Sequence, residues 1–266
     1  MRTLPSLFVS HGAPTFALEA GQVGPLLRQL GQTLPRPRAI VMVSAHWQSQ
    51  GVRVTGAARP ETIHDFRGFD DALYELRYPA PGEPALARQI VEQLNGAGWP
   101  TRLDPHRGLD HGAWVPLLHL YADADVPVVQ VSLPHDLDGP GAEALGLLLA
   151  PLADDNILII GSGSLTHNLR DVFLGTQKFA YAKEFTDWIR AAVARGDRDA
   201  LRDALIMAPQ AQRAHPTPEH YWPLVVAAAA GQNGPGTLLD GGMTHRVLSM
   251  DAFVFGRLPP SELESI

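Results

Sequence analysis

The sequence predicts an α/β protein: a three-layer α/β/α sandwich around a mixed, mostly parallel central sheet. Three observations carry that expectation. Short apolar runs alternate with helix-like segments along most of the 266 residues. The runs at 40–45, 126–133 and 157–160 are apolar or β-branched at nearly every position, as strands buried on both faces are. The runs at 40–45 and 52–55 lie too close for a crossover helix, so they are expected to pair as a hairpin and make the sheet mixed.

Taken in order, strands are expected at 7–10, 40–45, 52–55, 126–133, 157–160, 237–239 and 252–255. Helices are expected at 25–34, 84–95, 141–153, 181–194, 199–207 and 221–230. Pro84 suits a first-turn position, and Gly96, Gly196 and Gly231 fall just past three helices, where caps belong. Residues 60–82 have weak periodicity and read as a long functional loop with one short helix. Residues 259–266 are expected to fray. No repeat and no polar linker divides the chain, so residues 1–266 are expected to form a single domain.

Composition narrows the function. With 45% hydrophobic and 18% charged residues the chain is ordinary for a soluble globular protein. Its formal net charge of -7, with no long basic run, argues against nucleic acid or an anionic membrane as partner. The absence of cysteine excludes disulfides, thiolate zinc sites, Cys-ligated iron–sulfur clusters and a Cys nucleophile. The N-terminus lacks the apolar core of a signal peptide, and no apolar stretch approaches the roughly 18 residues of a membrane span. A cytoplasmic protein is expected.

The chemistry is expected from histidines. His11 closes the first strand ahead of a Gly-Ala-Pro turn, and His46 closes the 40–45 run. His220 is expected in the first turn of an apolar helix, with Thr217 as its N-cap and Pro218 as its first residue; the helix dipole there favours the neutral ring a metal needs. His167 follows a Gly161-Ser162-Gly163-Ser164 stretch that reads as a loop. That stretch is neither a dinucleotide fingerprint, a P-loop nor a nucleophile elbow. His111 precedes a helix-like segment, and the adjacent Asp110 is expected to orient a ring. His64, His106 and His135 read as loop histidines, and His119, His215 and His245 as structural ones. Open α/β sheets bind ligands at the carboxyl ends of their strands, and imidazoles gathered there predict a metal site assembled from distant segments.

At these residues the chain resembles a known family. The motifs Ser10-His11-Gly12-Ala13-Pro14, Val43-Ser44-Ala45-His46-Trp47, Thr62-Ile63-His64-Asp65-Phe66 and Tyr78-Pro79-Ala80-Pro81-Gly82 stand in this order. Asp110-His111-Gly112-Ala113-Trp114, Pro127-Val128-Val129-Gln130-Val131-Ser132, Thr166-His167-Asn168-Leu169-Arg170 and Pro218-Glu219-His220-Tyr221 follow. Together they resemble the 4,5-DOPA extradiol dioxygenase family, within the class III, LigB-type ring-cleavage dioxygenases. Ala13 and Thr166 depart mildly from the family pattern.

The resemblance implies a mononuclear non-haem metal and cleavage of a catechol ring by O2. It implies His11, His46 and His220 as metal ligands, His167 as general base or fourth ligand, and His111 facing substrate and oxygen. His64, Asn168, Arg170 and Arg107 lie in or near the motifs that would form the pocket, where they could meet a polar tail. Fe(II) is the expected working metal. An all-histidine set, with Glu219 beside rather than in it, would also accept Zn2+. A zinc-dependent hydrolase or lyase, and a non-enzymatic metal- or peptide-binding module, are the competing expectations.

Overall fold

The computed structural model describes residues 3–172 and 180–256, so the expected fraying at 259–266 lies outside the described residues. The strands are β1 (Ser6–Ser10), β2 (Ala39–Ser49), β3 (Val52–Thr55), β4 (Thr101–Asp104), β5 (Val128–Pro134), β6 (Ile157–Gly163), β7 (Gly236–Leu239), β8 (Met243–Thr244), β9 (Leu248–Ser249) and β10 (Ala252–Phe255). The helices of the first half are α1 (Val23–Thr33), α2 (Asp71–Glu75), α3 (Pro84–Gly96), α4 (His111–Leu120) and α5 (Gly139–Leu149). Then come α6 (Leu169–Val172), α7 (Ala180–Arg195), α8 (Arg198–Arg202), α9 (Ala204–Met207), α10 (Ala211–Ala214) and α11 (Trp222–Ala230).

Among the described residues, eight strands form one sheet in the order β4-β3-β5-β2-β6-β1-β10-β7. Its centre is parallel: β5, β2, β6 and β1 run side by side, while β10, β7 and the β3–β5 contact are antiparallel. The alternation of the buried strands feeds two cores. Phe8, Val41, Val43, Val129, Val131 and Ile159 face a layer containing α3, α5, α7 and α11. Leu7, Val9, Ile40, Met42, Leu158 and Ile160 face α1, α4 and the loop beyond β3. Ile159 is wholly buried, so truncating it to alanine is expected to cost roughly 2–5 kcal/mol. No helix among the described residues is long and apolar enough to cross a membrane.

Four expectations are corrected. The 40–45 and 52–55 runs do not pair as a hairpin: β5 lies between β2 and β3. After Ser49 the chain turns at Gly51, with φ at 66°, and passes the end of β5; the Ser132 hydroxyl on β5 contacts Ser49 Oγ and accepts from Arg53 N. The expected helix at 199–207 is broken into α8 and α9 at Asp203, whose carboxylate is engaged by Arg202. The Gly161-Ser162-Gly163 stretch is not a loop but the end of β6. A Cβ on Gly161 would lie 2.0 Å from the Pro223 carbonyl oxygen and one on Gly163 2.1 Å from that of His220, so these glycines let the start of α11 pack directly on the strand. Thr217 does not cap a helix: its hydroxyl binds Glu219, α11 begins at Trp222, and His220 sits in the turn before it.

Candidate metal centre

The histidines arrive at one place by different local devices. His11 follows β1 directly; its amide donates to the Gly163 carbonyl at 2.9 Å, and Gly12, in the left-handed region, turns the chain away. His46 lies on an irregular stretch of β2. Between the Val43–Val131 and Gln48–Leu133 pairings, β2 advances five residues and β5 two. The extra residues re-aim the His46 ring, as bulges beside functional sites do. His111 is the first residue of α4, where the Asp110 carboxylate caps the helix by accepting from Ala113 N. The His167 amide donates to the Ala214 carbonyl, and His220 accepts from Ser164 N through its own carbonyl.

Three Nε2 atoms converge. His46 Nε2 lies 3.0 Å from His11 Nε2 and 3.3 Å from His220 Nε2. The hydrogen-bond network assigns the tautomers. Ser162 Oγ donates to the Gly112 carbonyl, so it accepts from His11 Nδ1 at 3.0 Å and leaves His11 Nε2 bare. His220 Nδ1 donates to Glu219 Oε1 at 2.9 Å, which likewise leaves its Nε2 bare. His46 Nδ1 faces Asp65 Oδ2 at 3.8 Å, a charge contact that favours the proton on that side.

With the His46 proton on Nδ1, the three facing lone pairs repel unless a cation sits among them. For metal–nitrogen bonds of about 2.0–2.1 Å, neighbouring ligand atoms stand about 3.0–3.4 Å apart in octahedral to tetrahedral geometry, so the donor set fits a metal ion. Donor atoms of His11, His46 and His111 also cluster within 4.8 Å, as do those of His167, Glu219 and His220. Glu219 is engaged by the Nδ1 of His220, on the side away from the bare nitrogen.

Burial keeps these rings neutral. It drives His11 and His220 well below the usual imidazole range, with neighbouring histidines adding to the effect. His46 falls to about 4, through burial first and His111 second. His167 also falls to about 4 through burial, against the opposing pull of Glu219. Its ring lies flat on His220, with centroids 3.4 Å apart and planes within 10°.

His111 is held by a carboxylate the sequence reading passed over. Asp65 Oδ1 accepts both the His111 backbone N–H and Nδ1, each at 2.9 Å. Burial alone would raise the Asp65 carboxyl, but the His111 contacts outweigh it and bring it down to about 2. Asp110, expected to orient a ring, instead binds Ser44, Gln130 and Arg107 while capping α4. The signal for Asp65 was its place in the His64-Asp65-Phe66 motif of a long loop; nothing local shows that it reaches His111.

The remaining expected residues have other surroundings. His64 Nε2 contacts the Leu76 carbonyl, and its ring stands among Phe66, Tyr74 and Trp114, with Phe66 edge-on to His111. The Asn168 amide is committed to Asp171 and the Arg213 carbonyl, and Arg170 is exposed on α6. Arg107 donates to the His46 carbonyl and Asp110, and lies over the Trp47 ring.

A layered α/β protein with five histidines from five segments meeting at the carboxyl side of its central strands defines a metalloenzyme architecture. The family described as the catalytic LigB subunit of aromatic ring-opening dioxygenase matches residues 7–255, and the chain belongs to it. It is 38% identical to a 4,5-DOPA dioxygenase extradiol of Beta vulgaris, over 94% of this chain and 96% of that protein. It is 41% identical to one of Escherichia coli K12, over 85% of each. The crystal structure of an uncharacterized protein from Escherichia coli K12 superposes with a TM-score of 0.77 and 34% identity, covering 95% of this chain and 100% of that one. The chain is thus a ring-cleaving oxidoreductase of the LigB family, a metal-dependent class acting on small aromatic molecules with O2.

Proposed function

We propose that residues 1–266 form one catalytic domain that cleaves a catechol outside its two hydroxyls, at a mononuclear metal held by His11, His46 and His220. The observation that carries this is the convergence of three Nε2 atoms, two of them with their other nitrogen fixed as a donor. Bound there, Fe(II) would supply the Lewis acidity and redox capacity that a catechol needs to react with O2.

The protein's own groups do the rest. His167, kept neutral by burial, accepts a proton from a catechol hydroxyl. His111 presents Nε2 while its Nδ1 is held by Asp65, so a proton resting on the ring sits beside a carboxylate and can be returned to the substrate. Phe66 and Trp114, both buried, restrict water around that ring. We further assign a cytoplasmic location, consistent with a cysteine-free chain.

The name of the relatives makes DOPA the first catechol to assay. Oxygen uptake over a catechol panel, with anaerobically Fe(II)-reconstituted protein, tests the proposal. Catechols should be consumed and matched monophenols should not, because two adjacent hydroxyls are needed to fix the ring beside O2. Equal turnover of a catechol and its monophenol would overturn the chelation argument. A zinc-dependent hydrolase or lyase is the second reading, favoured by the all-nitrogen donor set. It requires turnover with Zn2+ and no oxygen uptake with Fe(II).

A further inference from the structure

One carboxylate touches both halves of the candidate centre. Asp65 comes from the long loop after β3, and its two oxygens diverge. Oδ1 accepts from the backbone N–H and Nδ1 of His111, each at 2.9 Å. Oδ2 faces His46 Nδ1 at 3.8 Å, too far for a hydrogen bond and close enough for charge to act. The His46 and His111 rings are themselves in contact, with centroids 3.9 Å apart. We propose that Asp65 is a positioning residue that acts by its charge, fixing the Nδ1–H form of His111 and polarising His46 so that both rings turn Nε2 toward the metal position.

This rests on the ligand and proton-transfer roles proposed above. Carboxylates behind metal-binding imidazoles orient the ring and strengthen it as a ligand, and removing one typically costs about 10–100-fold in metal affinity or activity. Asp110 also acts on His46 by charge through space, but among the described residues no other contact replaces Asp65 at the Nδ1 side of the two rings. Ser44 Oγ reaches only the His46 backbone N–H, and Arg107 only its carbonyl. Asp110, on the same loop-to-helix junction as His111, turns its oxygens to Ser44, Gln130 and Arg107. A purely structural Asp65 would need only an oxygen for the His111 backbone N–H, which an amide also provides.

Asp65→Asn is therefore the informative substitution, with Asp65→Glu as the charge-retaining control. In Zn2+-loaded protein, nitrogen-edited NMR of the histidine side chains reads the His111 Nδ1 proton directly. In the Asn variant this proton is expected to move upfield or to be lost, and Zn2+ to bind about 10–100-fold more weakly. With Fe(II), kcat on a catechol should fall more than KM rises. The Glu variant should retain more of all three. An Asn variant with an unchanged His111 signal, unchanged Zn2+ affinity and full kcat would overturn the proposal. If wild type cleaves no catechol while the NMR and Zn2+ changes still occur, the catalytic reading fails and the positioning role stands. If the Asn variant melts far below wild type, the same NMR signal in the folded Glu variant decides: its loss despite a retained carboxylate overturns the charge argument, and its persistence upholds it.

Discussion

The two nitrogens of His11 have different partners, and the same division recurs at His220. One nitrogen is tied down by an oxygen, Ser162 Oγ or Glu219 Oε1, and the other is left bare toward His46. Removing any one of His11, His46 or His220 as alanine is expected to abolish stoichiometric metal binding, read by elemental analysis; full retention in all three variants would sink the assignment. Ser162→Ala is a gentler probe. It leaves His11 Nδ1 without its acceptor and should weaken metal binding about 10–100-fold without eliminating it. His167→Ala should keep the metal but lose about 10²–10⁴-fold in turnover, as removal of a general base does. A metal-free His167→Ala protein would make that ring chiefly a ligand. At this scale the sequence marked all five histidines that meet, because each ends or borders a recognisable element. It did not mark the acceptors behind them. Ser162, Glu219 and Asp65 reach their partners through packing or turn geometry that no spacing rule encodes.

Elements reach the centre through close backbone approach. Gly163 at the end of β6 admits the His220 carbonyl where a Cβ would stand 2.1 Å from it. Gly163→Ala must push the turn carrying His220 outward. Overpacking of this kind typically costs about 1–3 kcal/mol, and here it should also lower metal affinity, which calorimetric titration would detect. Unchanged affinity would show that the turn relaxes without moving its ring. The central strands were legible because Ile40–Val43 and Ile157–Ile160 bury both faces and so read as continuous apolar runs. The edge was not. β4, Thr101-Arg102-Leu103-Asp104, is short and apolar only at Leu103, so it gave no strand signal, and the pairing of β3 with β5 depends on a passage across a strand end rather than on turn chemistry. The loop expected at 60–82 does carry one short helix, α2, whose Asp70 cap accepts from Ala72 N.

For the molecule as a whole, buried neutral histidines tie stability to pH. His215, in the core beside Phe185 and Tyr221 with a ring nitrogen on the Leu165 carbonyl, is lowered by burial from 6.5 to about 4. Between those values the unfolded chain binds more protons than the folded one. Stability therefore rises with pH across that window, is fully present above 6.5, and is lost as pH falls toward 4. From His215 alone the loss amounts to about 3 kcal/mol. Urea midpoints of metal-free protein between pH 7 and pH 4.5 should fall accordingly, and less steeply in His215→Gln. Identical slopes would remove His215 from the account.

The wide separation of the converging residues has a consequence for biosynthesis. Of the five histidines His11 is made first and His220 last, and the turn holding His220 packs against a strand made some sixty residues earlier. Until that late segment docks, His11, His46 and His111 can gather, but the proposed set lacks its third ligand, His220. On the proposed ligand set, tight metal binding is expected only once this turn has docked, and a chain stopped before residue 220 should hold an ion more weakly, however much of the sheet it has built.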